Sequence, residues 1–214
     1  MKNIIICGAG DCGKEWAAFI EQINKIQPTY NIVGMLDKAN LVGSKCWKYD
    51  IIGTDEDFAS LVEKYDAYAV TATQKWKIRK KIVEMNPSFA RWATIIHPSA
   101  VIDDSVTIGM GTVVGPGAVI NVDAKIGKHC IISSSSTVGH DCIVGDYASL
   151  MPGCVCCGHT QIGEMAYIST NASVIPGVKV GIDSVIGVAS TALEDVPDKV
   201  MIFGNPGRIT MKRK

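Results

Sequence analysis

Residues 119–150 read VINVDAKIGKHCIISSSSTVGHDCIVGDYASL, and every sixth position is aliphatic: Ile120, Ile126, Ile132, Val138, Val144 and Leu150. Extended both ways, the step runs without a slip from Ile96, Ile102, Ile108 and Val114 to Cys156, Ile162, Ile168, Val174, Val180 and Ile186. Fifteen of these sixteen residues are aliphatic, far from chance, and the exception, Cys156, is itself a small hydrophobe. Four residues after each stands Ala, Ser, Thr, Cys or Val, as at Ala118, Ala124, Cys142, Ala148 and Ser184. Glycine often follows directly, as at Gly109, Gly127, Gly145 and Gly163.

A period of six is neither the 3.6 of a helix nor the alternation of a plain strand. It fits short strands joined by corners, with one large and one small inward residue per strand and glycine where the backbone turns. Three such hexapeptides close a triangular coil, which would stack residues eighteen apart about 4.8 Å above one another. The unbroken register predicts about five coils with no excursion loop.

The first ninety residues follow another pattern. Residues 3–7 form an apolar strand, followed by Gly8-Ala-Gly10-Asp-Cys-Gly13. From Glu15 to Ile26, Trp16, Phe19, Ile20, Ile23 and Ile26 share a helical face. Strands are expected at 31–36 and 67–72, and helices around 56–64 and 77–85, an alternation typical of a small Rossmann-like α/β domain. We therefore expect domains at 1–90 and 91–214. The glycines at 8, 10 and 13 let a backbone approach a phosphate at a helix N-terminus. Asp37 ends the second strand, where such folds hold a ribose or base. The same loop would suit NAD in an oxidoreductase or epimerase, or serve only as a packing turn.

Lys plus Arg and Asp plus Glu each total 21, so the formal charge is zero and a nucleic-acid or anionic-membrane partner is not indicated. No apolar run is long enough to span a membrane, and a cytoplasmic location is expected. The eight cysteines are scattered without paired spacing. Cys154, Cys156, Cys157 and His159 form a zinc candidate, but the repeat sends Cys154 and Cys156 inward, which favours reduced core thiols. The basic tail Met211–Lys214 reads as a solvated end.

Of four histidines, His97 begins the first rung as a capping residue, and His129 reads as a corner or surface residue. His140 stands two residues past Val138, leaving a corner outward, and Asp141 follows at once. A carboxylate beside an imidazole fixes its tautomer and strengthens it as a base. One coil later comes Gly158, too small to block the imidazole and with an N–H that an oxyanion could use. By the same count Asp141 lies beneath His159. A solvated polar corner would read identically, and a β-helix can also be a catalytically silent binding scaffold.

The repeat resembles that of the hexapeptide acyltransferases, whose domain is an all-β left-handed parallel β-helix; the handedness comes from this resemblance. With the α/β N-terminal Rossmann-like domain, the whole chain is similar to the bacterial sugar O-acyltransferase family. That family includes sialic acid O-acetyltransferases and the N-acetyltransferases of nucleotide-linked amino sugars used in surface glycans. The likeness includes residues 49–55 (YDIIGTD) and 203–208 (FGNPGR). It implies acetyl-CoA as co-substrate, a nucleotide-sugar or sialic acid acceptor, no metal, and a homotrimer with sites between subunits. It further implies His140 as base with Asp141, and the Gly158 amide as oxyanion donor. The acceptor would lie against Gly8, Gly10, Asp11, Cys12, Gly13, Asp37 and Lys38, and acetyl-CoA against Ser149, Thr170 and Val188. Where the family often has glycine after the third strand, this chain has Thr71-Ala-Thr-Gln74.

Overall fold

A computed structural model describes residues 1–212, which divide into two compact units between Pro98 and Ser99. The sequence-based boundary stood after residue 90. Trp92 extends the first unit, because it stacks on Phe58 (centroids 5.3 Å apart) and Ala93 N–H donates to the Ala69 carbonyl at 2.8 Å.

The first unit contains β1 (Lys2–Cys7), α1 (Asp11–Ile26), β2 (Tyr30–Leu36), β3 (Lys45–Cys46), β4 (Tyr49–Gly53), α2 (Phe58–Lys64), β5 (Tyr68–Thr71) and α3 (Trp76–Glu84). Its sheet runs β3-β4-β2-β1-β5, parallel except for the short β3. Central β1 buries Ile4, Ile5 and Ile6 completely, as a strand covered on both faces must. Trp16 and Ile20 on α1 are buried, and Trp16 Nε1 donates to the Thr71 carbonyl at 3.1 Å. Ile26 was expected on the same face but is 74% exposed, since it is the last helical residue. The third parallel strand, β4, has no alternation long enough to announce it.

In the second unit the strands from Val101 to Ala192 are two residues long and stack in three columns. Val101, Val119, Thr137, Val155, Ser173 and Thr191 align on one face. Thr107, Lys125, Ile143, Gln161 and Lys179 align on the second. Val113, Ile131, Ser149, Tyr167 and Val185 align on the third. Every pairing within these columns is parallel with a step of eighteen, as the repeat requires. The prism interior is the column of large residues from Val114 to Ile186 with the small ones between, including Ala118, Ala148, Ala166 and Ala172, all buried. Ile96, the first residue of the step, is exposed rather than interior.

Many corners place a non-glycine residue in the left-handed region, among them Asp141 (φ 58°) and His159 (φ 61°). That conformation costs about 1–2 kcal/mol per residue. It is offset by hydrogen bonds between coils: Asp141 N–H donates to the Val122 carbonyl (3.0 Å) and His159 N–H to the His140 carbonyl (2.9 Å). His129 occupies such a corner (φ 53°) but is buried and stacked on Tyr147, centroids 5.3 Å apart, rather than lying on the surface. His97 is likewise buried, with Nε2 2.8 Å from Gln22 Oε1 and its ring edge-on to Phe19. Met211 and Lys212 are exposed, as a solvated end would be, and they belong to a strand, Arg208–Lys212, antiparallel to Val200–Phe203. Residues 213 and 214 lie outside the described residues.

Candidate active site

His140, Asp141 and Gly158 meet at one corner of the prism, between the strands Thr137–Val138 and Ile143–Val144 and one coil on. The corner forms because Gly139 turns the chain: a Cβ there would lie 2.5 Å from Gly158 N, so only glycine lets the two coils close up. His140 emerges about half exposed, and its Nδ1 is 2.8 Å from Asp141 Oδ2. That contact holds the Asp141 carboxyl below its ordinary range, assisted by the nearby charge of His159. An ionised carboxylate can only accept, so Nδ1 carries the proton and Nε2 keeps a free lone pair.

Gly158 faces that lone pair. A Cβ on Gly158 would lie 2.6 Å from His140 Cε1 and overlap Nε2, so the absence of a side chain keeps the nitrogen accessible. The Gly158 N–H makes no hydrogen bond among the described residues. His159 stands above Asp141, with Nδ1 3.8 Å from Oδ2 and its ring perpendicular to that of His140 at 4.8 Å. Donor atoms of His140, Asp141 and His159 all lie within 4.8 Å of one another, a set that could also hold a cation. The arrangement supplies an oriented base, an open approach to it and an unused N–H, which are the requirements of acyl transfer.

The other candidates in the second unit stand elsewhere. Ser149 is buried on the third face, and Thr170 and Val188 follow that face at the next corner, a different edge from His140. A single chain does not bring them together with the imidazole. Cys154 and Cys156 are buried in the prism core, and all eight cysteines are free thiols.

In the first unit, Gly8, Gly10, Asp37 and Lys38 line a cavity of about 570 Å³ at the ends of the parallel strands. Gly8 takes φ +123°, and a Cβ there would lie 2.5 Å from the Ala72 carbonyl, so the loop turns only with glycine. Asp37 secures the loop from below, accepting from Ala9 N–H at 2.7 Å and Lys38 N–H at 2.8 Å. Asp11 and Cys12 line an adjoining depression with Gly10, Ala72, Thr73 and Gln74. Gly13 is buried, and its missing side chain leaves room for the Gly8 carbonyl. Sequence reasoning passed over Arg79, which is fully buried on α3 and donates from Nη1 to the carbonyls of Thr73 (2.9 Å) and Gln74 (3.0 Å). It also passed over Asp55 and Glu56 as cavity residues, although Asp55 ends the 49–55 stretch that carried the family likeness.

Residues 3–86 match the PglD N-terminal domain family, and 123–158 match the bacterial transferase hexapeptide (six repeats) family. Over 222 aligned residues the chain is 31% identical to GDP-perosamine N-acetyltransferase of Escherichia coli O157:H7, covering 97% of this chain and 96% of that one. Among solved structures it is similar to PerB of Caulobacter crescentus in complex with CoA and GDP-perosamine, with 28% identity, a TM-score of 0.87, and 99% and 98% of the two chains covered. It is also similar to the acetyltransferase domain of PglB of Neisseria gonorrhoeae FA1090 in complex with acetyl coenzyme A, with 28% identity, a TM-score of 0.90, and 98% and 99% covered.

Proposed function

The chain belongs to the hexapeptide acetyltransferases that carry a PglD-type N-terminal domain, and from that membership we propose that it moves an acetyl group from acetyl-CoA to the free amine of a nucleotide-linked amino sugar. It is an acetyltransferase, which displaces the oxidoreductase and silent-scaffold readings of its glycine loop and β-helix. The observation that carries the proposal is the convergence of the His140 imidazole and the side-chain-free Gly158 across one coil step.

The amine nitrogen attacks the thioester carbonyl carbon while His140 Nε2 takes its proton. The Gly158 N–H donates to the carbonyl oxygen as it becomes an oxyanion. Collapse of the tetrahedral intermediate breaks the carbon–sulfur bond, and the proton held by His140 passes to the departing CoA thiolate. Asp141 keeps Nδ1 protonated throughout and stabilises the transient imidazolium. No step calls on a metal.

The acceptor's nucleotide occupies the cavity at Gly8, Gly10, Asp37 and Lys38. The parallel order β4-β2-β1-β5, with the glycine loop after its first strand, supports a Rossmann-like reading of the first unit. The second unit is read as left-handed through its family. A homotrimer accounts for Ser149, Thr170 and Val188 standing away from His140 in one chain, since acetyl-CoA contacts can then come from a neighbour. Eight free cysteines suit a reducing cytoplasm, and no helix among the described residues is long and apolar enough to cross a membrane.

The test is thiol release from acetyl-CoA with GDP- and UDP-linked amino sugars and with sialic acid. Release with a nucleotide-linked amino sugar and none with sialic acid is expected. Release only with sialic acid, or with no acceptor, would contradict the proposal.

A further inference from the structure

The cavity at the strand ends of the first unit is lined by a half-withdrawn carboxylate that meets no donor among the described residues. Asp37 commits both carboxylate oxygens to backbone N–H groups. Glu56 is exposed to water, while Asp57 accepts from both the N–H and the hydroxyl of Thr54. Asp55 lines the same cavity, half withdrawn from water, and its carboxylate makes no hydrogen bond or ion pair among the described residues. Burial pushes its carboxyl above the ordinary range, the Glu56 and Asp37 charges add to the effect, and the Lys81 ammonium offsets it only in part. Its field also contributes, after burial, to the raised thiol of Cys7, which lines the cavity at the end of β1. A partly desolvated, unpaired carboxylate is unfavourable until a ligand brings it donors.

Nucleobases differ in what they can bring. Guanine alone of the common bases presents two adjacent donors, the ring N1–H and the exocyclic amine, which match the two oxygens of a carboxylate. Uracil has one N–H between two carbonyls, so a carboxylate facing it meets acceptors on either side. Adenine and cytosine each set a ring acceptor beside their amine. The apolar cavity residues Leu36, Ala72, Ile78 and Ile82 offer surfaces for a flat ring. The volume, about 570 Å³, lies in the usual range for a small-molecule site.

We propose that Asp55 reads the base of the acceptor nucleotide and selects guanine by accepting hydrogen bonds from N1–H and the 2-amino group. The inference rests on the nucleotide-sugar reading above and adds the identity of the base. A site built around a hydrogen bond discriminates strongly against an analogue that lacks the donor, because its buried acceptor is then left unpaired.

Calorimetric titration of the full chain with GDP, IDP and UDP tests this. GDP should bind tightest. IDP, which lacks only the 2-amino group, should bind about 10–100-fold more weakly, and UDP at least as weakly as IDP. Asp55→Asn should lower GDP affinity by a similar factor and narrow the gap to UDP, at an unfolding midpoint close to that of the parent. If that variant does not fold, the GDP-to-IDP ratio on the unaltered chain still decides. Equal affinity for GDP and IDP, or a preference for UDP, overturns the base assignment alone, as does a folded Asp55→Asn chain that keeps its affinity for GDP. Binding of none of the three overturns the nucleotide-sugar reading with it.

Discussion

A methyl group on Gly158 would lie 2.6 Å from Cε1 of His140, although the two residues are eighteen positions apart. The clash is with the far end of a side chain about half exposed to solvent, so the fold can accommodate it by turning the imidazole aside. Gly158→Ala should therefore cost no more than about 1 kcal/mol of stability. It should lower turnover roughly 100-fold through misplacement of the base. Thermal unfolding and a CoA-release assay on the same preparation separate the two effects.

Asp141 has two duties that one substitution can separate. Its backbone is left-handed (φ 58°), which asparagine tolerates well, so Asp141→Asn should fold normally. An amide can donate to Nδ1 and so move the imidazole proton to Nε2, the wrong tautomer for a base. Turnover should fall about 100- to 10,000-fold, with acetyl-CoA affinity unchanged.

The glycines of the first loop should respond differently. A Cβ on Gly13 would enter the Gly8 carbonyl, which is backbone and cannot swing away, so Gly13→Ala should cost about 1–3 kcal/mol. Gly10 has no atom within 4 Å of its would-be Cβ and lines the cavity. Gly10→Ala should leave stability within about 0.5 kcal/mol while weakening nucleotide binding. Denaturant melts paired with nucleotide titrations would show the contrast.

Burial holds the His97 imidazole below its ordinary value of 6.5. The unfolded chain therefore takes up a proton at a higher pH than the folded one. The stability linked to His97 is complete above the unfolded value and is lost as pH falls through the lower folded value. The unfolding midpoint should drop between about pH 7.5 and pH 5, and His97→Gln, whose amide does not titrate, should flatten that dependence.

The prism was legible because six-residue spacing is a local signal repeated many times, each copy checking the last. Arithmetic in steps of eighteen then placed Gly158 over His140 and His159 over Asp141. The burial of His129 was not legible, because a corner residue faces inward or outward according to its stacking partner, here Tyr147. β4 escaped notice for the opposite reason: five residues that occur once carry no period. Asp55 lay inside a quoted segment, but only the cavity distinguishes its unused carboxylate from Asp37, whose oxygens the loop already occupies.

The most direct test is the turnover of His140→Ala with a nucleotide-linked amino sugar as acceptor. The account predicts a loss of about 100- to 10,000-fold with acetyl-CoA still bound at its original affinity. A rate within a few-fold of the unaltered enzyme would place the base elsewhere and contradict it.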